Sequence, residues 1–107
     1  MINVSFKNNE IYIEGSKNAT IKLSRGHTYY FQITQDMEYF TDPKHGFVIT
    51  DNPKHGKQAE LIGFDPVARG CVPFIIETQK ISKLYYRDYN SLHDNKCNIG
   101  GLILIKD

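Results

Sequence analysis

The stretch Thr28-Tyr29-Tyr30-Phe31-Gln32-Ile33-Thr34 alternates without a break. Tyr29, Phe31 and Ile33 fall on one side of an extended backbone, and Tyr30 and Gln32 on the other, because successive strand side chains point to opposite faces. A helix would scatter these aromatic residues around its circumference. Ser24-Arg25-Gly26 turns the chain just before this strand. Before the turn, residues 19–23 set Ile21 and Leu23 on one face.

Outward from this centre the same signal recurs at short intervals. Residues 2–6 and 10–14 read as strands, the second with Ile11 and Ile13 together. Residues 46–50 pair Phe47 with Ile49, and residues 60–64 read as a short edge strand. Residues 72–78 align Val72, Phe74 and Ile76, and Pro73 places the start of that strand at a sheet edge, where a missing N–H costs nothing. In residues 82–89, Leu84 and Tyr86 alternate with Tyr85. Residues 101–106 are apolar on both sides, as expected of a central strand covered twice. Residues 35–44 have room for a helical turn, and 51–59 read as loop. The near-repeat of Asp42-Pro43-Lys44-His45-Gly46 in Asp51-Asn52-Pro53-Lys54-His55-Gly56 is too short for a solenoid unit and reads as two similar turns. The fold class expected is all-β, an antiparallel Greek-key β-sandwich in one domain over residues 1–107. Its core should contain Phe31, Ile33, Phe47, Ile49, Phe74, Ile76, Leu84 and Leu102.

Composition agrees. Thirteen Ile, seven Tyr, six Phe, six Thr and four Val stand against three Ala, a choice that suits a pleated surface over a helix. The 107 residues suffice for one core. Thirteen Lys and Arg against twelve Asp and Glu leave a net charge of +1, which argues against a partner held by bulk charge, nucleic acid or membrane surface. No stretch nears the roughly 18 apolar residues of a membrane-crossing helix. Residues 1–10 hold no apolar segment of a secretory signal, so no signal peptide is expected in this chain, and the sequence does not fix the compartment.

Catalytic motifs are missing from the sequence. No serine sits in a Gly-x-Ser-x-Gly elbow, and Cys-x-x-Cys, a phosphate loop and His-Glu-x-x-His are all absent. The expectation is a protein that is not an enzyme. Tyr85, Tyr86 and Tyr89 alternate faces, so at most two can share a stacking platform. That fits packing better than nucleic-acid binding, and a carbohydrate-binding sandwich has no specific residue in its favour.

Several segments together resemble cupredoxin-like domains. The run Ala19-Thr20-Ile21-Lys22-Leu23-Ser24-Arg25-Gly26-His27-Thr28-Tyr29-Tyr30-Phe31 resembles their strand, glycine turn and strand. His45-Gly46-Phe47-Val48-Ile49 is similar to the His-x-Phe segment that carries the first copper histidine. Leu84-Tyr85-Tyr86 resembles the strand leading into the copper loop, and Ile99-Gly100-Gly101-Leu102-Ile103 the Met-Gly-Gly-x-Ile that ends it. The resemblance runs in order over residues 19–106. It implies two histidine nitrogens and a thiolate in a plane, with a weak axial donor, around copper.

The departures fall on the ligands. Where the resemblance implies a cysteine shortly after Tyr-Tyr, this chain reads Arg87-Asp88-Tyr89. Where it implies the axial methionine, Ile99 stands, and Met37 lies far upstream. His45 is the one ligand that carries over by position. His93 and Cys97 lie in the right loop in reversed order. Cys97 reads as a buried thiol, a neighbour or disulfide partner of Cys71, or a thiolate ligand. By connectivity His45, Cys71, His93 and Cys97 should gather at one end of the sandwich, with His27 and His55 at the other. No cofactor is expected; copper is the alternative, with His45, His93 and Cys97 as a rearranged metal site. The function expected is a non-catalytic binding or structural module with a protein partner or a second copy of itself, such as a subunit of a larger assembly, a viral particle among them. The alternative is a copper-binding or electron-transfer protein.

Overall fold

A computed structural model describes residues 1–7, 10–35, 46–51, 61–77, 81–89 and 100–107. These form nine strands: β1 Ile2–Lys7, β2 Glu10–Ile13, β3 Ser16–Lys17, β4 Ile21–Ser24, β5 Thr28–Gln35, β6 Phe47–Thr50, β7 Gly70–Ile75, β8 Lys83–Asp88 and β9 Gly100–Lys106. They build two sheets, ordered β3-β2-β1-β5-β7 and β4-β9-β8-β6. The all-β Greek-key sandwich expected from the alternation is what the chain adopts.

Each sheet is mixed. β1 runs parallel to β5 with Val4 opposite Ile33, and β4 runs parallel to β9 with Leu23 opposite Ile105; the other pairs are antiparallel. The chain crosses repeatedly between sheets, so several lateral neighbours are strands distant in sequence. Such crossovers are what bring two parallel strands side by side. The alternation in a strand fixes which side chains point inward but carries no record of this partnering.

β3 escaped the sequence reading because its two residues are both exposed and give no apolar signal. It exists because Glu14 and Gly15 take φ values of 50° and 84°, the left-handed pair that closes a two-residue hairpin. Glu14 is held in that unfavourable conformation partly by its carboxylate, which accepts the backbone N–H of Asn3 at 2.6 Å. That bond and the side-chain amide of Asn3 pull the Glu14 carboxyl below its ordinary pKa. Of residues 60–64, the described 61–64 contribute one bridge, Leu61 to Thr50, and no strand; residue 60 lies outside the described residues. β7 is an edge strand, as Pro73 implied.

The core lies between the sheets. Phe31 of the first sheet meets Phe47 of the second at 5.4 Å between ring centroids and Phe74 at 5.9 Å. Phe47 also stacks on Phe64 and tilts against Tyr86, both at 6.0 Å. Of the expected core residues seven are buried. Leu102 is the exception: β9 turns Ile103 and Ile105 inward, which leaves Leu102 half-buried on the outer side. β9 is central, as expected, but its outer face is only partly covered.

Two backbone clips define the poles. At one, Arg25 N–H reaches Lys106 O at 2.6 Å and Gly26 N–H reaches Ile76 O at 2.8 Å, joining the end of the second sheet to the end of β7. At the other, Phe47 and Val67 exchange N–H···O bonds of 2.8 and 3.1 Å, and the Gln35 side chain donates to Ala68 O at 2.7 Å. The second pole therefore collects the end of β5 and the starts of β6 and β7. The end of β8 and the start of β9 join them through Phe47↔Asp88 and Arg87↔Gly100.

Candidate metal centre

β8 alternates strictly: Leu84, Tyr86 and Asp88 are buried, while Lys83 is exposed and Tyr85 and Arg87 are half-buried. The apolar phase of the strand thus drives a carboxylate into the interior at its last residue. Asp88 is only 1% exposed. A buried carboxylate is tolerated only when hydrogen bonds replace its water. Among its contacts, Asp88 Oδ1 accepts the Gly46 N–H at 3.0 Å. The next residue reinforces the contact, since Tyr89 N–H donates to Gly46 O at 2.7 Å. Gly46 is thereby held on both its backbone groups. There is little space for a side chain here: a Cβ would lie 3.2 Å from the Pro66 Cβ and 3.5 Å from the Tyr89 Cβ.

Two residues back, Tyr86 points into the core and its hydroxyl donates a hydrogen bond to Ala19 O at 2.5 Å. Burial pushes its phenol up to about 12, against a smaller downward pull from the Arg87 charge. Gly100 and Gly101 make room for this arrangement. Gly100 has φ 133°, and a Cβ there would collide with the Tyr86 carbonyl oxygen; a Cβ on Gly101 would meet the Tyr86 hydroxyl and the Asn18 carbonyl. Arg87 lies on the outward side, 5.3 Å from the Tyr85 ring centroid, and donates to Tyr86 O at 3.0 Å. Burial lowers its guanidinium pKa. Of the three tyrosines weighed as a platform, Tyr86 is interior and Tyr85 points the other way.

His45, His93 and Cys97, the metal candidates, lie outside the described residues, as does His55. Their flanks are described: Gly46 follows His45 in sequence, Tyr89 precedes residues 90–99 and Gly100 follows them. These three flanking residues share one pole. Cys71 is exposed at this same pole, opposite Gln32 near the start of β7; its relation to Cys97 rests on a residue outside the described set. His27 lies at the opposite pole, in the turn clipped to Lys106 and Ile76, as connectivity implied. Among the described residues no three His, Cys, Asp or Glu side chains stand close enough to share a metal ion.

Thiolate-held copper does not fit the described end of β8. The inward position there belongs to Asp88, a hard oxygen donor already engaged with a backbone N–H, where soft sulfur is required. The sequence named this departure as a missing thiol. It did not show that the replacement turns inward and ties two chain segments together, although the alternation Leu84, Tyr86, Asp88 carried that signal.

The fold has known counterparts. The chain is similar to rusticyanin from Thiobacillus ferrooxidans at a TM-score of 0.63 and 19% identity, covering 98% of this chain and 75% of that one. It is also similar to a rusticyanin structure described as a copper protein, at TM-score 0.63, 20% identity, and 98% and 76% coverage. For reduced rusticyanin in solution the values are 0.64, 17%, 98% and 75%. The chain therefore has a cupredoxin-like fold. No protein-family model matches it, and no curated relative does.

Proposed function

We propose that this chain is a non-catalytic cupredoxin-fold module that works by contact with a partner and does not move electrons at copper. The observation that carries the reading is Asp88. The framework is retained around it: the paired glycines Gly100 and Gly101, the buried Tyr86 and the Gly46-Phe47 pair. The inward group at the strand end is nonetheless a carboxylate bound to Gly46 N–H. Serving as a subunit of a larger assembly, a viral particle included, is one form of this role. The second reading is a copper-binding or electron-transfer protein using His45, His93 and Cys97. It is favoured by the likeness to a protein described as a copper protein.

Adding copper to the purified chain separates the two. The contact reading expects no intense visible band and no stoichiometric copper after dialysis. An intense band, lost in Cys97→Ser, would establish the second reading.

A further inference from the structure

The outward face of the second sheet carries a charge pattern that the pole around Asp88 does not use. Lys22 on β4 and Lys83 on β8 both stand in register with Leu104 on β9, one on each side of it. Lys106, two residues further along β9, faces the same way and pairs with Ser24. All three lysines are exposed, and Leu104 among them is half-buried. With strands about 4.8 Å apart and a rise of about 3.3 Å per residue, the three lysine Cα atoms stand about 8–10 Å from one another around one leucine.

The ion pairs between described residues lie elsewhere. Lys17 meets Glu10 at 3.9 Å, and Arg25 meets Asp107, the carboxylate next to Lys106 in sequence, at 2.7 Å. The outward positions of β4, β8 and β9 include no Asp or Glu. Further along the same face Tyr85 and Leu102 are half-buried, with Arg87 against the Tyr85 ring. A chain with a net charge of only +1 has gathered cations around an apolar strip. Lysine on an edge strand is a common guard against sheet extension, which accounts for Lys22 on β4. That account does not reach Lys83 and Lys106, because β8 and β9 are interior strands.

We infer that this face docks an acidic protein surface, whose carboxylates meet Lys22, Lys83 and Lys106 and whose apolar side chain covers Leu104. The inference rests on the contact reading given above. Three clustered ammonium groups with no ion partner among the described residues favour an anionic surface, and an apolar centre within a charged rim is how protein interfaces are built. A nucleic acid would satisfy the charge but has no branched aliphatic side chain to pack on Leu102 and Leu104.

The test is a titration of the full isotope-labelled chain, followed by amide resonances. The probes are a synthetic 12-residue peptide of alternating Glu and Leu, its Lys–Leu counterpart, and a single-stranded DNA 12-mer. The acidic peptide should shift Lys22, Lys83, Leu104 and Lys106. It should weaken about tenfold between about 20 and about 200 mM salt, because screening shortens the reach of exposed charges to about 8 Å. Lys22→Glu with Lys83→Glu should weaken it about tenfold, the sum of a few exposed pairs, while Lys7→Glu on the other sheet leaves it unchanged. No shift, shifts confined to another face, or indifference to the charge reversals would overturn the proposal, as would tighter binding of the DNA at these residues. Failure of the contact reading has a separate signature, a visible band on copper addition.

Discussion

Asp88 Oδ1 accepts the backbone N–H of Gly46 at 3.0 Å, joining the last residue of β8 to the residue just before β6. The bond lies beside the register pair Phe47↔Asp88, so it extends the sheet by one contact beyond the ladder. It anchors the described flanks of the segments holding His45 and His93, and it does so from inside the protein.

Removing that carboxylate should be costly. Asp88→Ala leaves the Gly46 N–H without this acceptor in a dry setting, a loss of about 2 kcal/mol. Asp88→Asn keeps an oxygen acceptor and should lose about half as much. Urea unfolding of the three proteins measures both. Equal stability of all three would mean that the bond does not hold the pole.

The glycine pair should be equally unforgiving. Gly100→Ala puts a side chain against a backbone oxygen at a φ of 133° and should cost about 3 kcal/mol. Gly101→Ala displaces the Tyr86 hydroxyl from Ala19 and should cost about 1–3 kcal/mol.

Tyr86 gives a pH dependence with a definite sign. Its phenol is raised to about 12 in the folded protein from an ordinary 10.0, chiefly by burial. Between those values the unfolded chain releases the proton and the folded chain keeps it, so stability present below pH 10 falls as pH rises toward 12. Tyr86→Phe should show a shallower decline of melting temperature over that interval. An unchanged slope would contradict the assignment.

Phe74 and Leu102 test the phase of the strands. Phe74 is 2% exposed and packs edge-on to Phe31 and Phe64, so Phe74→Ala should cost about 3–5 kcal/mol. Leu102→Ala, on the half-buried outer side, should cost about 1 kcal/mol. Calorimetry on the two variants should separate them clearly.

The sandwich was legible because alternation is a local property. Tyr29, Phe31 and Ile33 announce a face without reference to any other strand, and Pro73 marks its own edge. The β1–β5 and β4–β9 parallel pairs were not legible, since register between distant strands leaves no trace in either alone. Leu102 misled because β9 is apolar on both sides, and period-two reasoning has no phase to read in such a strand. For the candidate site, the missing thiol was plain in Arg87-Asp88-Tyr89. The use made of Asp88 was not, because it depends on Gly46, 42 residues away. The lysines around Leu104 required the strand order β4-β9-β8 before they became one cluster.

The central claim is that the pole carries a hydrogen-bonded carboxylate where a cupredoxin resemblance implies a copper thiolate. Copper titration of the purified chain, followed by visible absorption, tests it most directly. The account predicts no intense charge-transfer band and an undisturbed Gly46 amide resonance at stoichiometric metal. An intense visible band that disappears in Cys97→Ser, accompanied by a shift of the Gly46 amide, would contradict it.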